Sequence, residues 1–235
     1  MRVRLDKLLA DRGVGSRSEL RTAIKRGRVT VDAAVVRDPG AHVGPDAEVC
    51  FDGAVVPAPP ELVVLHKPVG VHSTVGDPLG RANLEGLTRD LLDLGLHPVG
   101  RLDHDSSGLL PFSRDGALTQ ILLHPRHAVP KEYVATVEGA VPADLGARLA
   151  AGVETGEGVH VAELLDVREQ AVRLVVREGK HRMVRRMLAN LGLPVLELRR
   201  ERFGALELGE LAPGAWRVAT PEERAWSASL REGRG

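Results

Sequence analysis

Between Gly53 and Glu61 the chain carries Pro57, Pro59 and Pro60, and regular structure does not tolerate proline at that density. Each proline fixes φ and lacks the N–H that a helix or an interior strand needs. A semi-rigid linker is therefore expected over 53–61. It separates a small domain at 1–52 from a larger one at 62–222, with a polar tail over 223–235. The length of 235 residues suits that division. Aromatic residues make up only 3% of the chain, so aliphatic side chains must fill both cores.

Charge is segregated along the chain. Lysine and arginine number 32, as do aspartate and glutamate, so the formal net charge is zero. Residues 1–28 nevertheless hold nine basic side chains against three acidic ones, and residues 180–202 hold seven against two. These surpluses of six and five leave the remainder at minus eleven. A solvated helix face explains one such patch, but two on a neutral chain point to a polyanionic partner with a defined footprint. The single cysteine, Cys50, precludes an internal disulfide and fits a reducing cytoplasm. No apolar run approaches the roughly twenty residues that span a bilayer, and no apolar h-region follows the start Met1–Asp6. A soluble cytoplasmic monomer without a membrane partner is expected.

In the N-terminal segment Leu5, Leu8 and Leu9 recur at helical spacing, and Gly13 and Gly15 end that helix. Ser16 followed by Glu19 forms a capping box for a second helix, with Leu20, Ala23 and Ile24 as its apolar stripe and Gly27 past its last turn. Val29–Asp32 and Val35–Val36 read as short strands about a turn. The second helix sets Arg17, Arg21 and Lys25 four residues apart along one side, where they can pair with phosphates. A basic helix pair followed by Gly27–Asp32 (Gly-Arg-Val-Thr-Val-Asp) resembles the S4-type RNA-binding domain.

In the larger domain the polar loop Gly100–Leu110 reads Gly-Arg-Leu-Asp-His-Asp-Ser-Ser-Gly-Leu-Leu. Asp103, Asp105, Ser107 and Gly108 fall at positions one, three, five and six of a calcium-binding loop. Position twelve, which must be a bidentate glutamate, is Arg114. Two readings stay open on local grounds: a catalytic carboxylate held by a cation, and an Asx-turn that closes a loop. His124 and His127 have no third ligand nearby, so no metal is expected.

The loop resembles the signature of the RNA pseudouridine synthases of the RsuA/RluB type, and further segments carry the same resemblance. His66–Gly70 (His-Lys-Pro-Val-Gly) is similar to the family's Asn-Lys-Pro-x-Gly turn, with histidine replacing asparagine. Lys67 either faces a cleft or is an ordinary turn lysine. Lys131–Tyr133 is similar to the Lys-x-Tyr motif, on a segment that alternates like a strand and holds the chain's only tyrosine. Glu178–Met187 is similar to the third motif, with Met183 where glutamine is common. Its helix has an apolar stripe of Met183, Val184, Met187, Leu188 and Leu191, with Arg182, Arg185 and Arg186 on the opposite side. Leu196–Gly204 and Leu211–Trp216 read as strands, and Leu84–Leu94 as a helix. Pro111 implies an edge position or bulge.

The resemblance implies an α+β protein: an S4-like α/β RNA-binding module and a catalytic domain with a mixed, mainly antiparallel sheet and a central cleft. It implies isomerisation of a uridine in ribosomal RNA, free or in an assembling subunit, with no cofactor. Overall length and the Pro-Arg-His…Lys-x-Tyr spacing favour 16S RNA at a site of the uridine-516 type over 23S RNA. Asp103 is implied to be the catalytic residue, Tyr133 to stack on the base, and Arg185 to pair with Asp103 and keep it ionised. Arg101 is expected to hold a phosphate or the space left by the flipped nucleotide, and Arg182 and Arg186 to contact RNA. A non-catalytic RNA-binding or ribosome-assembly factor is the competing class, and it would need none of Asp103, Tyr133 and Arg185.

Overall fold

The computed structural model describes residues 2–44 and 47–232. Contacts divide the chain into two units, Met1–Pro60 with Asp90–Gly95, and Glu61–Arg89 with Leu96–Gly235. No helix among the described residues is long and apolar enough to cross a membrane.

Local signals set the first unit. Strand β1 (Val3–Arg4) leads into α1 (Leu5–Asp11) and α2 (Arg17–Lys25). The α2 N-terminus carries the expected capping box: the Ser16 side chain accepts from the Glu19 N–H, and the Glu19 carboxylate accepts from Ser16 N at 3.0 Å. At its other end Gly27 takes φ +77°, Arg28 N donates to Ala23 O and Gly27 N to Ile24 O. That pair of bonds is a Schellman motif. Strands β2 (Val29–Val31), β3 (Ala34–Val35), β4 (His42–Val43), β5 (Val49–Phe51) and β6 (Ala54–Val55) follow. They form the sheet β3-β2-β5-β6 and the separate pair β1-β4. Asp32–Ala33 and Asp52–Gly53 both have positive φ, as tight hairpin turns require. Leu5, Leu9, Leu20, Ile24, Val29 and Val49 make the core.

Gly53–Val55 thus belong to a hairpin, and Val56 is buried with its N–H on Val49 O. The linker expected from residue 53 begins only at Pro57, because a strong Asp-Gly turn precedes the prolines. Asp6 is wholly buried beneath three half-exposed arginines. Its carboxylate accepts from Arg4 at 3.2 Å, from Arg17 at 3.2 and 3.3 Å and from Arg21 at 2.9 Å. Hydrogen bonds from these arginines, Arg4 foremost, hold the carboxyl well below the usual carboxylate range, against the opposing effect of burial.

The second unit is built on one sheet. In chain order its elements are β7 (Leu62–Lys67), α3 (Leu84–Leu87), then, past α4 (Arg89–Asp93), which belongs to the first unit from Asp90 on, β8 (His97–Pro98), β9 (Ser106–Ser113), α5 (Gly116–Leu123) and β10 (Lys131–Val137). Next come α6 (Leu145–Ala151), β11 (Val153–Thr155), β12 (Gly158–His160), β13 (Glu163–Arg168), β14 (Ala171–Val176) and α7 (Met183–Asn190). The chain closes with β15 (Val195–Phe203), β16 (Leu206–Glu207), β17 (Trp216–Val218) and α8 (Pro221–Glu232). The order β13-β14-β10-β15-β9-β7-β17 is antiparallel except for β15 against β9, where Leu198, Arg199 and Arg200 pair with Ser106, Ser107 and Gly108. The sheet is therefore mixed and mainly antiparallel. One core gathers Leu145, Leu149, Met187 and Leu188 from α6 and α7, and another joins Leu109, Leu118, Leu122 and Phe203 with Trp226 of α8.

Four sequence expectations change here. Pro111 sits inside β9 opposite Val64, with no register shift. Its carbonyl accepts from Val99 N at 2.7 Å, so its nitrogen faces that side and the β7 ladder loses no bond. The helix expected over 84–94 breaks at Thr88 into α3 and α4. The strand expected over 211–216 starts only at Trp216. The polar tail is largely helix α8, and only its residues 233–235 lie outside the described residues. Glu223 is buried there, bonded to Arg217 at 2.7 Å and to the N–H groups of Thr220 and Glu207. Trp226 packs so closely on Gly204 that a Cβ there would lie 2.1 Å from the ring. Polar composition concealed this helix because its inward face mixes the buried polar side chains Glu223 and Ser227 with Trp226 and Leu230.

Gly108 has φ +106°, and a Cβ on it would stand 2.3 Å from Arg200 O. Gly108→Ala is expected to cost about 3 kcal/mol through overpacking and backbone strain, read from the urea transition of this unit. Since the folded-state pKa of Asp6 is depressed, its contribution to stability is full above the unfolded value and lost as pH falls toward the folded one. Acid titration of the thermal midpoint checks this: the stability loss that wild type shows below about pH 4 shrinks in Asp6→Asn, which is less stable than wild type at neutral pH.

Candidate active site

The loop between β8 and β9 is pinned from both sides. Ser73 Oγ accepts from Leu102 N at 3.0 Å and donates to Leu102 O at 2.7 Å. Gly70 N donates to His104 O at 2.9 Å, and Ser106 N to Asp103 O at 3.1 Å. Leu102 is buried, which leaves Asp103 half-buried at the wall of a cleft of about 560 Å³. Among the described residues no hydrogen bond or ion pair engages the Asp103 carboxylate. Arg101, Lys131, Tyr133, Arg182 and Arg200 share the wall.

The neighbouring carboxylate is fully engaged. Arg182 grips Asp105 with two parallel bonds of 2.8 and 2.7 Å, and these are the main reason that the Asp105 pKa lies below its ordinary value. Arg185, expected to pair with Asp103, also turns to Asp105. Its Nη2 donates to Asp105 O at 2.6 Å and its Nη1 to Val195 O at 2.8 Å, while Nε lies 3.3 Å from the Asp105 carboxylate without hydrogen-bond geometry. Nor does Arg185 lie on an outer helix face: it is buried together with Met183, Val184, Met187 and Leu188. Helix α7 packs on both a core and the loop, so its buried arc is wider than one apolar stripe. Two carbonyls and a carboxylate make burial of the guanidinium tolerable. The charge of Arg185 reaches Asp103 only through space.

Arg186 takes Glu157 at 2.8 Å and does not line the cleft. Lys67 is neither a cleft wall nor an exposed turn residue. It ends β7 fully buried, with Nζ donating to Pro68 O and Ser106 O at 2.9 Å each. Burial pushes its pKa down to about 8, against the pull of Asp103 and Asp105. It therefore anchors the start of β9 below the loop. Arg101 is exposed on the cleft wall. Arg17, Arg21 and Lys25 belong to the first unit, the two arginines on Asp6 and Lys25 exposed.

Lys131 and Arg200 carry no role in the sequence reading. Both are buried cations on the cleft wall, and they flank the Phe203 ring at 5.0 and 5.1 Å. Burial pushes Lys131 down to about 8, and the charge of Arg200 adds to the effect. Strand alternation held the signal: Lys131 lies two residues from Tyr133, and Arg200 two from the buried Leu198, so each pair shares a face. Among the described residues no group of three or more His, Cys, Asp or Glu could hold a metal ion. The site combines an unengaged carboxylate, a phenol and a cationic wall, a set suited to covalent or acid–base work on an anionic substrate with a planar ring.

The family profile described as RNA pseudouridylate synthase matches residues 61–190, and the S4 domain profile matches residues 3–49. An uncharacterized RNA pseudouridine synthase of Mycobacterium leprae is 41% identical over 231 residues, covering 94% of this chain and 90% of the relative. Ribosomal large subunit pseudouridine synthase B of Bacillus subtilis is 36% identical (94% and 93% covered). Ribosomal small subunit pseudouridine synthase A of Salmonella typhimurium is 35% identical (94% and 98% covered). A crystal structure of a pseudouridylate synthase superposes with a TM-score of 0.66 at 27% identity, covering 97% of this chain and 99% of that one. With its S4 domain, its mixed sheet and its cleft, the chain belongs to the RNA pseudouridine synthase family, whose members are isomerases acting on RNA.

Proposed function

We propose that this protein converts one uridine of 16S ribosomal RNA to pseudouridine, with Asp103 as the catalytic residue. The observation that carries the reading is the contrast between the two loop carboxylates: Asp105 is gripped by Arg182 and Arg185, and Asp103 is left unengaged on the cleft wall. In the reaction the bond from ribose C1′ to base N1 gives way to one from C1′ to C5. The C5 proton leaves and N1 gains one, so redox state and composition are unchanged and no cofactor is needed. Asp103 acts covalently on the target nucleotide, and Tyr133 stacks on its base. The uridine is flipped into the cleft, and phosphate contacts from Arg101 and the basic residues of the S4 unit offset the unstacking.

The small-subunit target rests on overall length and motif spacing, and the chain spans 98% of the Salmonella small-subunit enzyme. The similar identity to the Bacillus large-subunit enzyme supports a second reading, a 23S uridine. We read the protein as a cytoplasmic monomer that meets its RNA free or in an assembling subunit.

Pseudouridine mapping of ribosomal RNA from cells lacking the protein is expected to show one missing site in 16S RNA. Wild type restores it and Asp103→Asn does not. A missing 23S site selects the second reading, and restoration by Asp103→Asn refutes the role of Asp103.

A further inference from the structure

Arg200 brings a guanidinium into the sheet with no carboxylate to meet it. Its exposure is 3%, and no ion pair reaches it among the described residues. Nε donates to Leu109 O at 2.8 Å, Nη1 to Tyr133 Oη at 3.4 Å, and the buried Nη2 has no partner. Burying a guanidinium without a counter-charge is costly, and a neutral side chain of similar volume would fill the space at less cost.

Its place is dictated by the ladder. Arg200 stands opposite Tyr133 across the β10–β15 pair and opposite Gly108 across the parallel β15–β9 pair. The guanidinium lies 6.0 Å from the Tyr133 ring and 5.1 Å from Phe203, whose ring also meets Lys131. Four neighbours thus restrict it: the Leu109 carbonyl, the rings of Tyr133 and Phe203, and a second cation, Lys131.

A phenol has one hydrogen to give and lone pairs to receive. With Nη1 donating to Oη, the Tyr133 hydrogen cannot point at Arg200 and turns to the cleft that Tyr133 lines. We propose that Arg200 is a positioning residue: it fixes the Tyr133 ring and hydroxyl, with the hydroxyl hydrogen directed away from Arg200 and toward the nucleotide bound beside Asp103. This inference rests on the reading of the cleft as the uridine site.

Tyr133 is the chain's only tyrosine, so protein labelled with 13Cζ-tyrosine gives one resonance that reports on this hydroxyl. In the full chain, Arg200→Gln is expected to shift that resonance and to slow single-turnover pseudouridine formation about tenfold. RNA affinity should stay within about twofold of wild type, since the interaction acts on the reacting base and not on general RNA binding. Arg200→Lys keeps the charge, shifts the resonance in the same way, and serves if the Gln variant does not fold. An unmoved resonance, a moved resonance with an unchanged rate, or a loss of affinity in place of rate overturns the proposal. If wild type makes no pseudouridine, the proposed function fails by itself, and the resonance still decides the Arg200–Tyr133 contact.

Discussion

The second unit depends on one close approach, that of β9 to β15 at Gly108. All other pairings of the main sheet are antiparallel, whereas this one joins segments about ninety residues apart in parallel. It brings the strand that begins at the Asp103 loop against the strand that carries Arg200, and so fixes both sides of the cleft at once. Only glycine allows it, because the backbone of Arg200 occupies the space of a side chain. The glycine of the loop motif therefore has a structural cause independent of any chemistry at the aspartates.

The electrostatics of the cleft follow from a division of labour among charged groups. Asp105 draws in Arg182 and Arg185, and this fastens α7 to the loop. Lys67 fastens the start of β9 through carbonyls. The positive charge of all three still acts on Asp103 through space, without a contact that would block access to it. Fixed cations at a distance favour a negative charge in the cleft at little reorganisation cost.

Much of this was legible in the sequence where cause and effect are neighbours in the chain. The caps of α2 involve residues three to five apart, and the hairpins announce themselves by their turn residues. The Asp103 loop could be recognised from its motif. The partner of Arg185 could not, because two aspartates in one loop differ only in where the fold points them. Helical periodicity assigned Arg185 to the outside by assuming that α7 has one packing partner, and it has two. The same limit hid the packing of α8: Thr220 and Glu223 cap its start locally, but burial of Glu223 also depends on Arg217 and on the N–H of Glu207, which the fold brings to it. Pro111 misled for a related reason, since its effect depends on which side of the strand its nitrogen faces.

The arginines around Asp6 have an entropic consequence. A free arginine samples many rotamers, and immobilising a side chain of that kind on binding costs on the order of 0.5–1.5 kcal/mol. Arg4, Arg17 and Arg21 lose much of that freedom when the first unit folds, because one buried carboxylate gathers them. A guanidinium has five donors, and each of these three spends one or two on Asp6, so others remain for a phosphate on this half-exposed face. The entropy lost at folding is then not lost again at the encounter, so a phosphate would be held there at a smaller entropic cost than by three unrestrained side chains.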